Sequence, residues 1–511
     1  MEGGLHMAYT DLIYLLLFLP CCILIYQLVP VRFRKYVLLL FSWMYFILCS
    51  KKLIIYLLAT TLFVYLMGLV IDKAPKKSRT RKALFILGLF GLFGTLLYVK
   101  YTNFFIRIIN DLGHHSLSAL TIAAPIGISF YTLEAVSYLT EVYWGREKSD
   151  HDFCSVALFL SFFPQIMEGP IARYQDTAAQ LTKGEGVHLA ALQAGCVRIL
   201  WGLFKKMVIA DRLNTAVNVL FTNYTSYTGA MTAVSGIFYA VQLYMEFSGA
   251  MDIVIGSAQM FGITLPENFR QPFFSQSAAE FWRRWHITLG VWCKTYLFYP
   301  VTTSKLCMKW NKYGKKKFGK YITKIGICAM SLTPVWLFNG IWHGPQMNYI
   351  FYGIYYLVIL MIGEMLEPVK KAFYKKTGFN KNNVFWHTFR IVRTWVILFT
   401  GEMFFRANGL RAGLAMFKRI FENFHLSALW NDGGLMSLNL DHHDYLVIGI
   451  GILVVLIYDI LKENNIDVYD VVSRQKAPVR WVCVYLLLFA VIIFGAYGTG
   501  YDKVGLIYAG F

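Results

Sequence analysis

Blocks of apolar residues separated by short polar connections recur along the whole chain. The first are Asp11 to Val29, Tyr36 to Cys49, Leu53 to Ile71 and Leu84 to Val99. Ile122 to Val142, Val197 to Ile209, Ala233 to Met260 and Tyr321 to Trp342 follow. The last are Met347 to Met365, Val384 to Met403, Tyr445 to Leu461 and Val482 to Phe494. Many approach the roughly 20 residues an α-helix needs to cross a bilayer core about 30 Å thick. None alternates as the strands of a membrane barrel do. The pattern predicts an all-α polytopic membrane protein forming a single integral-membrane domain over 1–511. Its divisions are N-terminal helices over 1–120, a core over about 121–405 and C-terminal helices over 406–511. One apolar stretch, Phe159 to Pro170, is too short to cross and holds two prolines and Glu168. Backbone broken in this way is tolerated at membrane depth only under a cover of protein or a water cavity, so it reads as a re-entrant, half-buried element.

Composition supports this. Of the 511 residues, 57% are hydrophobic and 15% charged, against about 25% charged in soluble domains. The net charge of +20 sits in the connections, as the positive-inside rule expects, and does not point to nucleic acid. Arg32, Arg34 and Lys35 follow the first span, which puts the N-terminus outside. After three spans, Lys73 to Lys82 holds six basic residues, so parity and charge agree on the cytoplasm. No cleavable signal stands out, because the start lacks a basic region and a small-residue cleavage site. The nine cysteines form no CxxC pair and read as small buried hydrophobes.

The same charge argument places one histidine. Lys305 to Lys324 holds eight lysines, and Lys370, Lys371, Lys375 and Lys376 lie beyond the next apolar stretch. Both connections are therefore cytoplasmic. Two helices, up and down, fill the interval between them at 1.5 Å per residue. The turn between them, at Trp342-His343-Gly344-Pro345, lies deep in the bilayer or near the far face. An ionisable residue there is a functional candidate by default, although a core histidine bonded to a carbonyl is the plainer alternative. Burial favours the neutral imidazole, the form a base requires. Asn339, one turn earlier, is placed to donate to an oxyanion.

A second histidine lies in Ser277-Ala-Ala-Glu280-Phe-Trp282-Arg283-Arg284-Trp285-His286. Ser277 and Glu280 have the spacing of a capping box. On the helix they would start, Trp282, Trp285 and His286 share one face, and Arg283 and Arg284 point elsewhere, available to a phosphate or carboxylate. An interface-lying helix explains the same residues without a site. Glu246 and Asp252 interrupt another apolar run and need partners; pairing with Arg283 or Arg284 as a structural bridge is favoured over orienting a histidine. The His6 to Asp11 spacing reads as accidental. Asp441-His442-His443-Asp444 reads as a solvated connection, and no metal site is assigned. No Walker, Rossmann or G-x-S-x-G pattern occurs.

At these motifs the chain resembles the bacterial membrane-bound O-acyltransferase family, in particular its alginate O-acetyltransferase branch. The resemblance rests on Pro125-Ile-Gly-Ile-Ser-Phe-Tyr131 with Ser137-Tyr138-Leu139, and on Phe162-Phe163-Pro164-Gln165 with Glu168-Gly169-Pro170-Ile171-Ala172-Arg173-Tyr174. Phe281-Trp-Arg-Arg-Trp-His286 and Trp342-His343-Gly344 are the most specific, and Phe404-Phe405-Arg406-Ala407 and Asp444-Tyr445-Leu446 extend it. It implies a ring of about eleven transmembrane helices around a central catalytic tunnel. It implies His343 as catalytic residue and His286 as a second functional histidine; from the residues themselves, Gln165, Glu168, Asp252, Trp282, Trp285, Arg283, Arg284, Asn339 and Trp342 are lining candidates. Val301-Thr302-Thr303 and Pro345-Gln346-Met347 depart from the family pattern, and Asn348 to Tyr356 is closer to the D-alanyl transferase branch.

The expected activity is transfer of an acyl group, acetyl first, to a hydroxyl of a cell-envelope glycan or an extracytoplasmic carrier. The expected donor is a thioester, acetyl-CoA or an acyl carrier protein, reaching the site from the cytoplasm, with no tightly bound cofactor. The resemblance also implies an extracytoplasmic transferase partner and a place in the bacterial cell membrane. D-alanyl transfer to teichoic acid is the alternative within the enzyme class, and a non-catalytic transporter or scaffold is the alternative outside it.

Overall fold

In the computed structural model the described residues are 7–378, 380, 383–431 and 433–497. They form helices throughout, with one isolated antiparallel bridge, Phe269 to Trp285. The N-terminal part contains α1 (Leu19–Leu28), α2 (Val31–Ser50), α3 (Ile54–Lys73), α4 (Arg79–Gly113) and α5 (Ile128–Trp144). The middle contains α6 (Phe153–Ser161), α7 (Tyr174–Lys183), α8 (Leu189–Leu203), α9 (Asp211–Thr222), α10 (Gly229–Gln259), α11 (Ala278–Arg284), α12 (Ile287–Cys293), α13 (Tyr299–Thr302) and α14 (Lys305–Lys317). After these come α15 (Gly319–His343), α16 (Met347–Met365), α17 (Glu367–Thr377), α18 (Val384–Arg406) and α19 (Leu410–Glu422). The last are α20 (His442–Glu463), α21 (Val468–Ser473) and α22 (Ala477–Phe494).

Six continuous runs among the described residues are long and apolar enough to cross a membrane: Val31–Lys73, which holds α2 and α3, then α4, α15, α16, α20 and α22. The expected figure of about eleven goes beyond these. The difference lies in helices such as α5 and α10, whose buried faces carry Glu134, Glu141, Gln242 and Glu246. They are covered by other helices, so apolarity alone does not mark them. α4 outruns its expected span at both ends, starting at Ser78, whose hydroxyl caps Arg81 N at 3.0 Å. The block expected to end at Ile209 runs on into α9 through a π-helical stretch, Phe204–Ala210. Its two lysines do not stop the helix because they are neutralised inside: Lys205 pairs with Asp252 at 2.7 Å, and Lys206 pairs with Asp211 and, at 3.7 Å, with Glu246.

Two helix pairs approach backbone to backbone. α8 meets α10 where Gly195 faces Gly256 and Gly202 faces Gly249; a Cβ on Gly202 would lie 2.5 Å from Gly249 O. α15 meets α16 where a Cβ on Gly353 would lie 2.3 Å from Trp336 O and one on Gly340 would lie 2.5 Å from Tyr349 O. No side chain fits at those crossings.

The broken element after α6 is fully covered by protein. Its backbone finds partners on three sides: Phe163 N donates to Ser42 Oγ at 3.0 Å, Tyr9 Oη donates to Phe163 O at 2.9 Å, and Ile171 N donates to Thr288 Oγ1 at 3.0 Å. This is the cover that irregular backbone at membrane depth requires. Asp441 and Asp444 form a capping box at the start of α20, and Asp444 also pairs with Arg212. His6 lies outside the described residues.

Candidate active site

His343 is the last residue of α15. Gly344 follows at φ 153°, a conformation L side chains rarely adopt, and α16 begins three residues later. A helix C-terminus leaves carbonyls without intrahelical donors. Here α4 supplies donors: Tyr101 to Ile341 O, and Lys100 Nζ to Trp342 O at 3.1 Å. Lys100 Nζ also donates to Ser129 Oγ at 3.1 Å, and Arg107 Nη2 donates to Pro345 O at 3.0 Å. The ammonium also suits the negative end of the helix dipole. Position and conformation of the His343 turn are therefore fixed by α4.

The His343 side chain is buried, at 5% exposure. Its imidazole meets Phe405 edge to face at 5.0 Å and Tyr352 at 6.1 Å. Tyr352 Oη donates to Glu402 Oε1 at 2.9 Å. Trp282 extends the aromatic wall, 6.2 Å from Tyr352, 4.9 Å from Tyr356 and 5.0 Å from Trp336. Asn339 is buried one turn before His343, and its Oδ1 has no hydrogen-bond partner among the described residues; nor have the indole N–H groups of Trp282 and Trp342. Buried polar atoms are nearly always paired. Asn339 and Trp342 lie at the end of α15 with His343, and Trp282 lies on α11.

His286 corrects an expectation. It does not share a helix face with Trp282 and Trp285. α11 ends at Arg284, Trp285 is extended (φ −111°, ψ 131°), and His286 has φ 45° in the left-handed region. Asn268 captures the chain at this break. Its carbonyl accepts from Ile287 N at 3.0 Å, and its Oδ1 accepts from Thr288 N at 3.0 Å and Thr288 Oγ1 at 2.9 Å. The same Oδ1 lies 3.3 Å from His286 Nδ1. An atom already receiving a backbone N–H is an acceptor, so in the neutral ring Nδ1 carries the proton and Nε2 carries the lone pair. A non-glycine residue held at positive φ is a strained conformation maintained by its surroundings. His286 and Lys100 both lie within electrostatic range of His343.

The other candidates divide. Trp285 packs on Phe269 at 5.0 Å, and His286 meets Phe247 at 4.9 Å. Gln165 Nε2 donates to Glu134 Oε1 at 2.9 Å, and Glu168 is wholly buried in the same element. Arg283 is exposed. The bridges expected between Glu246 or Asp252 and Arg283 or Arg284 do not form. Arg284 pairs instead with Glu280 at 2.8 Å and Glu463 at 2.6 Å, and Asp252 pairs with Arg198 at 3.0 Å and Lys205 at 2.7 Å. α10 and α8 are already joined by their glycines, which puts the cations of α8 and the adjoining π-helical stretch nearer than those of α11. Ser277 caps α11, accepting from Glu280 N at 3.2 Å, but the Glu280 side chain turns to Gln276 N at 3.0 Å, so the box is not reciprocal.

Sequence reasoning missed Asn268, Lys100, Tyr352 and Glu402. Lys100 borders an apolar block and reads as a boundary. Asn268 sits in a polar connection with nothing to link it to His286.

Residues 4–406 match the model of MBOAT, the membrane-bound O-acyltransferase family. The chain is similar to the probable alginate O-acetylase AlgI of Pseudomonas aeruginosa, 30% identical over 419 residues that cover 81% of this chain and 75% of that protein. It is also similar to a peptidoglycan O-acetyltransferase of Helicobacter pylori, at 28% over 76% of this chain and 73% of that protein. A teichoic acid D-alanyltransferase of Bacillus subtilis is 28% identical over 48% of this chain and 61% of that protein.

Proposed function

Because the chain belongs to the membrane-bound O-acyltransferase family, we propose that this multi-pass membrane O-acyltransferase moves an acetyl group from a thioester to a hydroxyl of a cell-envelope polymer or its carrier, with His343 as the base. The donor is acetyl-CoA or an acylated carrier protein arriving from the cytoplasmic side, where the lysine runs lie. The observation that carries the reading is His343 itself. It is buried and held at the far end of α15 from those lysines. The names of the relatives, which concern alginate, peptidoglycan and teichoic acid, support a cell-envelope acceptor.

The acceptor O–H gives its proton to the His343 imidazole as its oxygen bonds to the thioester carbonyl carbon. The carbonyl oxygen becomes an oxyanion, and the Asn339 amide N–H donates to it; loss of such a donor costs about 100- to 1,000-fold in rate. The C–S bond then breaks, and the imidazolium returns the proton to the departing thiolate. His286, with its lone pair on Nε2, accepts from a substrate hydroxyl and orients it. Trp282 and Trp342 contribute indole donors to the lining.

The test is transfer of labelled acetyl by the purified chain in lipid vesicles, with mass analysis of the acceptor. His343→Ala abolishes ester formation while the protein stays folded in the membrane; full retained transfer would remove the central claim. The acyl increment on the product separates acetyl from D-alanyl transfer, the second reading that the teichoic acid relative and the Asn348 to Tyr356 run favour.

A further inference from the structure

A cavity of about 440 Å³ opens beside the His343 turn, between the end of α9, the start of α16 and the α18–α19 connection. Phe221 and Tyr349 are its buried floor, and Thr222, Gln346 and Asn408 are exposed at its mouth. Its volume falls in the range of small-ligand sites, about 300–1,000 Å³. One ring separates it from the histidine: Tyr349 lies 4.9 Å from Phe405, and Phe405 lies 5.0 Å from His343. The lysine runs at Lys305–Lys324 and Lys370–Lys376 flank the opposite ends of α15 and α16. The cavity therefore faces away from the cytoplasm.

Arg406 ends α18 and lines this cavity, half-buried. Its Nη2 donates to Asn218 Oδ1 at 2.7 Å, and its guanidinium lies 5.5 Å from the Phe221 ring centre. Both partners are neutral, and Arg406 has no ion pair among the described residues. Arg198, Arg212 and Arg284 have one, to Asp252, Asp444 and Glu463 respectively, whereas Arg34 and Arg81, also without an ion pair among the described residues, give their donors to backbone carbonyls and line no cavity beside His343. A charge held inside a membrane protein needs a counter-charge or a water path. A guanidinium can donate to two oxyanion oxygens at once. Gln346, which stands in the stretch that departs from the family pattern, adds a polar group at the mouth.

Building on the acyl-transfer reading, we propose that this cavity is the outer acceptor subsite and that Arg406 receives an anionic group of the acceptor, a sugar carboxylate or a phosphodiester. Tyr349 supplies the apolar face under the sugar or polyol, and the hydroxyl to be acylated reaches past Phe405 to His343. The acceptor is thus an anionic polymer, and a neutral glucan lacks the group that Arg406 holds.

The experiment measures binding, apart from turnover. The purified full chain in lipid nanodiscs is titrated with an oligouronide, a glycerol phosphate oligomer and a neutral glucan of similar length. At least one anionic oligomer binds about tenfold tighter than the glucan, and Arg406→Gln removes that margin. Preference for the oligouronide assigns the carboxylate, and preference for the glycerol phosphate oligomer assigns the phosphodiester. Thr222→Trp, a change at the exposed mouth, provides a second arm if Arg406→Gln does not fold, and it weakens the preferred anion by at least the same factor. Equal binding of glucan and anions, no binding of either anion, or unchanged anion binding in folded Arg406→Gln or in Thr222→Trp overturns the proposal. His343→Ala separates the two readings, because it keeps the anion preference while ester formation is lost. Wild-type protein that binds the anion yet forms no ester refutes acyl transfer and leaves the cavity assigned.

Discussion

At the scale of single residues, the two histidines are held by unlike means. His343 is placed by the end of a long helix, and His286 by one asparagine. Asn268→Ala removes the acceptor that fixes the His286 tautomer and leaves Thr288 N–H without its bond. Loss of a buried acceptor costs about 1–3 kcal/mol, so this variant has a lower melting temperature, and its transfer rate falls by about tenfold or more at equal amounts of folded protein. Asn268→Asp keeps an acceptor oxygen and restores part of the rate; equal rates for both variants would separate Asn268 from the reaction. Lys100→Met removes the donor to Trp342 O and the cation from the end of α15. It lowers both stability and transfer, and Lys100→Arg recovers stability, as thermal unfolding of the two variants would show. His343 was legible in sequence because its setting is local, an apolar run ending in Gly-Pro between lysine clusters. Asn268 and Lys100 were not, because each acts across a distance in sequence that periodicity does not reach. Glu246 and Asp252 were legible as groups needing partners, but which cations they take depends on how α8 and α10 pack.

At the scale of elements, the close crossings decide the geometry around the site. Gly353→Val inserts a branched side chain where a Cβ already meets Trp336 O at 2.3 Å. Overpacking of this kind costs about 1–3 kcal/mol or more, and here it forces apart the two helices that carry the His343 turn. The variant accumulates poorly or loses transfer, read as folded yield and rate per folded molecule, while Gly363→Ala, at an open position of the same helix, leaves both unchanged. Helix identity was readable from block length, and α16 has the ends expected for it. The kink between α11 and α12 was not readable, because Ser277 to His286 has a continuous helical pattern and only the pairing of Asn268 and Arg270 with that strand-like break interrupts it. Likewise, Lys205 and Lys206 look like a helix boundary until their buried partners are seen.

At the scale of the whole molecule, the lysine runs at Lys305–Lys324 and Lys370–Lys376 predict which ends of α15 and α16 face the cytoplasm. A cysteine placed at Lys316 in otherwise cysteine-free protein reacts with an impermeant maleimide from the cytoplasmic side, and one placed at Asn408 reacts from the other. Labelling of both from one side would overturn the orientation and with it the outer position of the Arg406 cavity. Charge and hydropathy made the fold class readable from sequence. The number of crossings was less readable, since helices covered by other helices, such as α5 and α10, carry polar groups that a lipid-facing helix excludes.

The clasp between α4 and the end of α15 bears on how the protein is made. Tyr101 and Ile341 are 240 positions apart in sequence. A ribosome adding about 5–20 residues each second leaves α4 waiting in the bilayer for at least several seconds before its partner emerges. Throughout that interval the Lys100 ammonium has no Trp342 carbonyl to hold. The site is thus completed late in synthesis, by an early segment closing on a late one, and a nascent chain halted before α15 holds a half-built pocket.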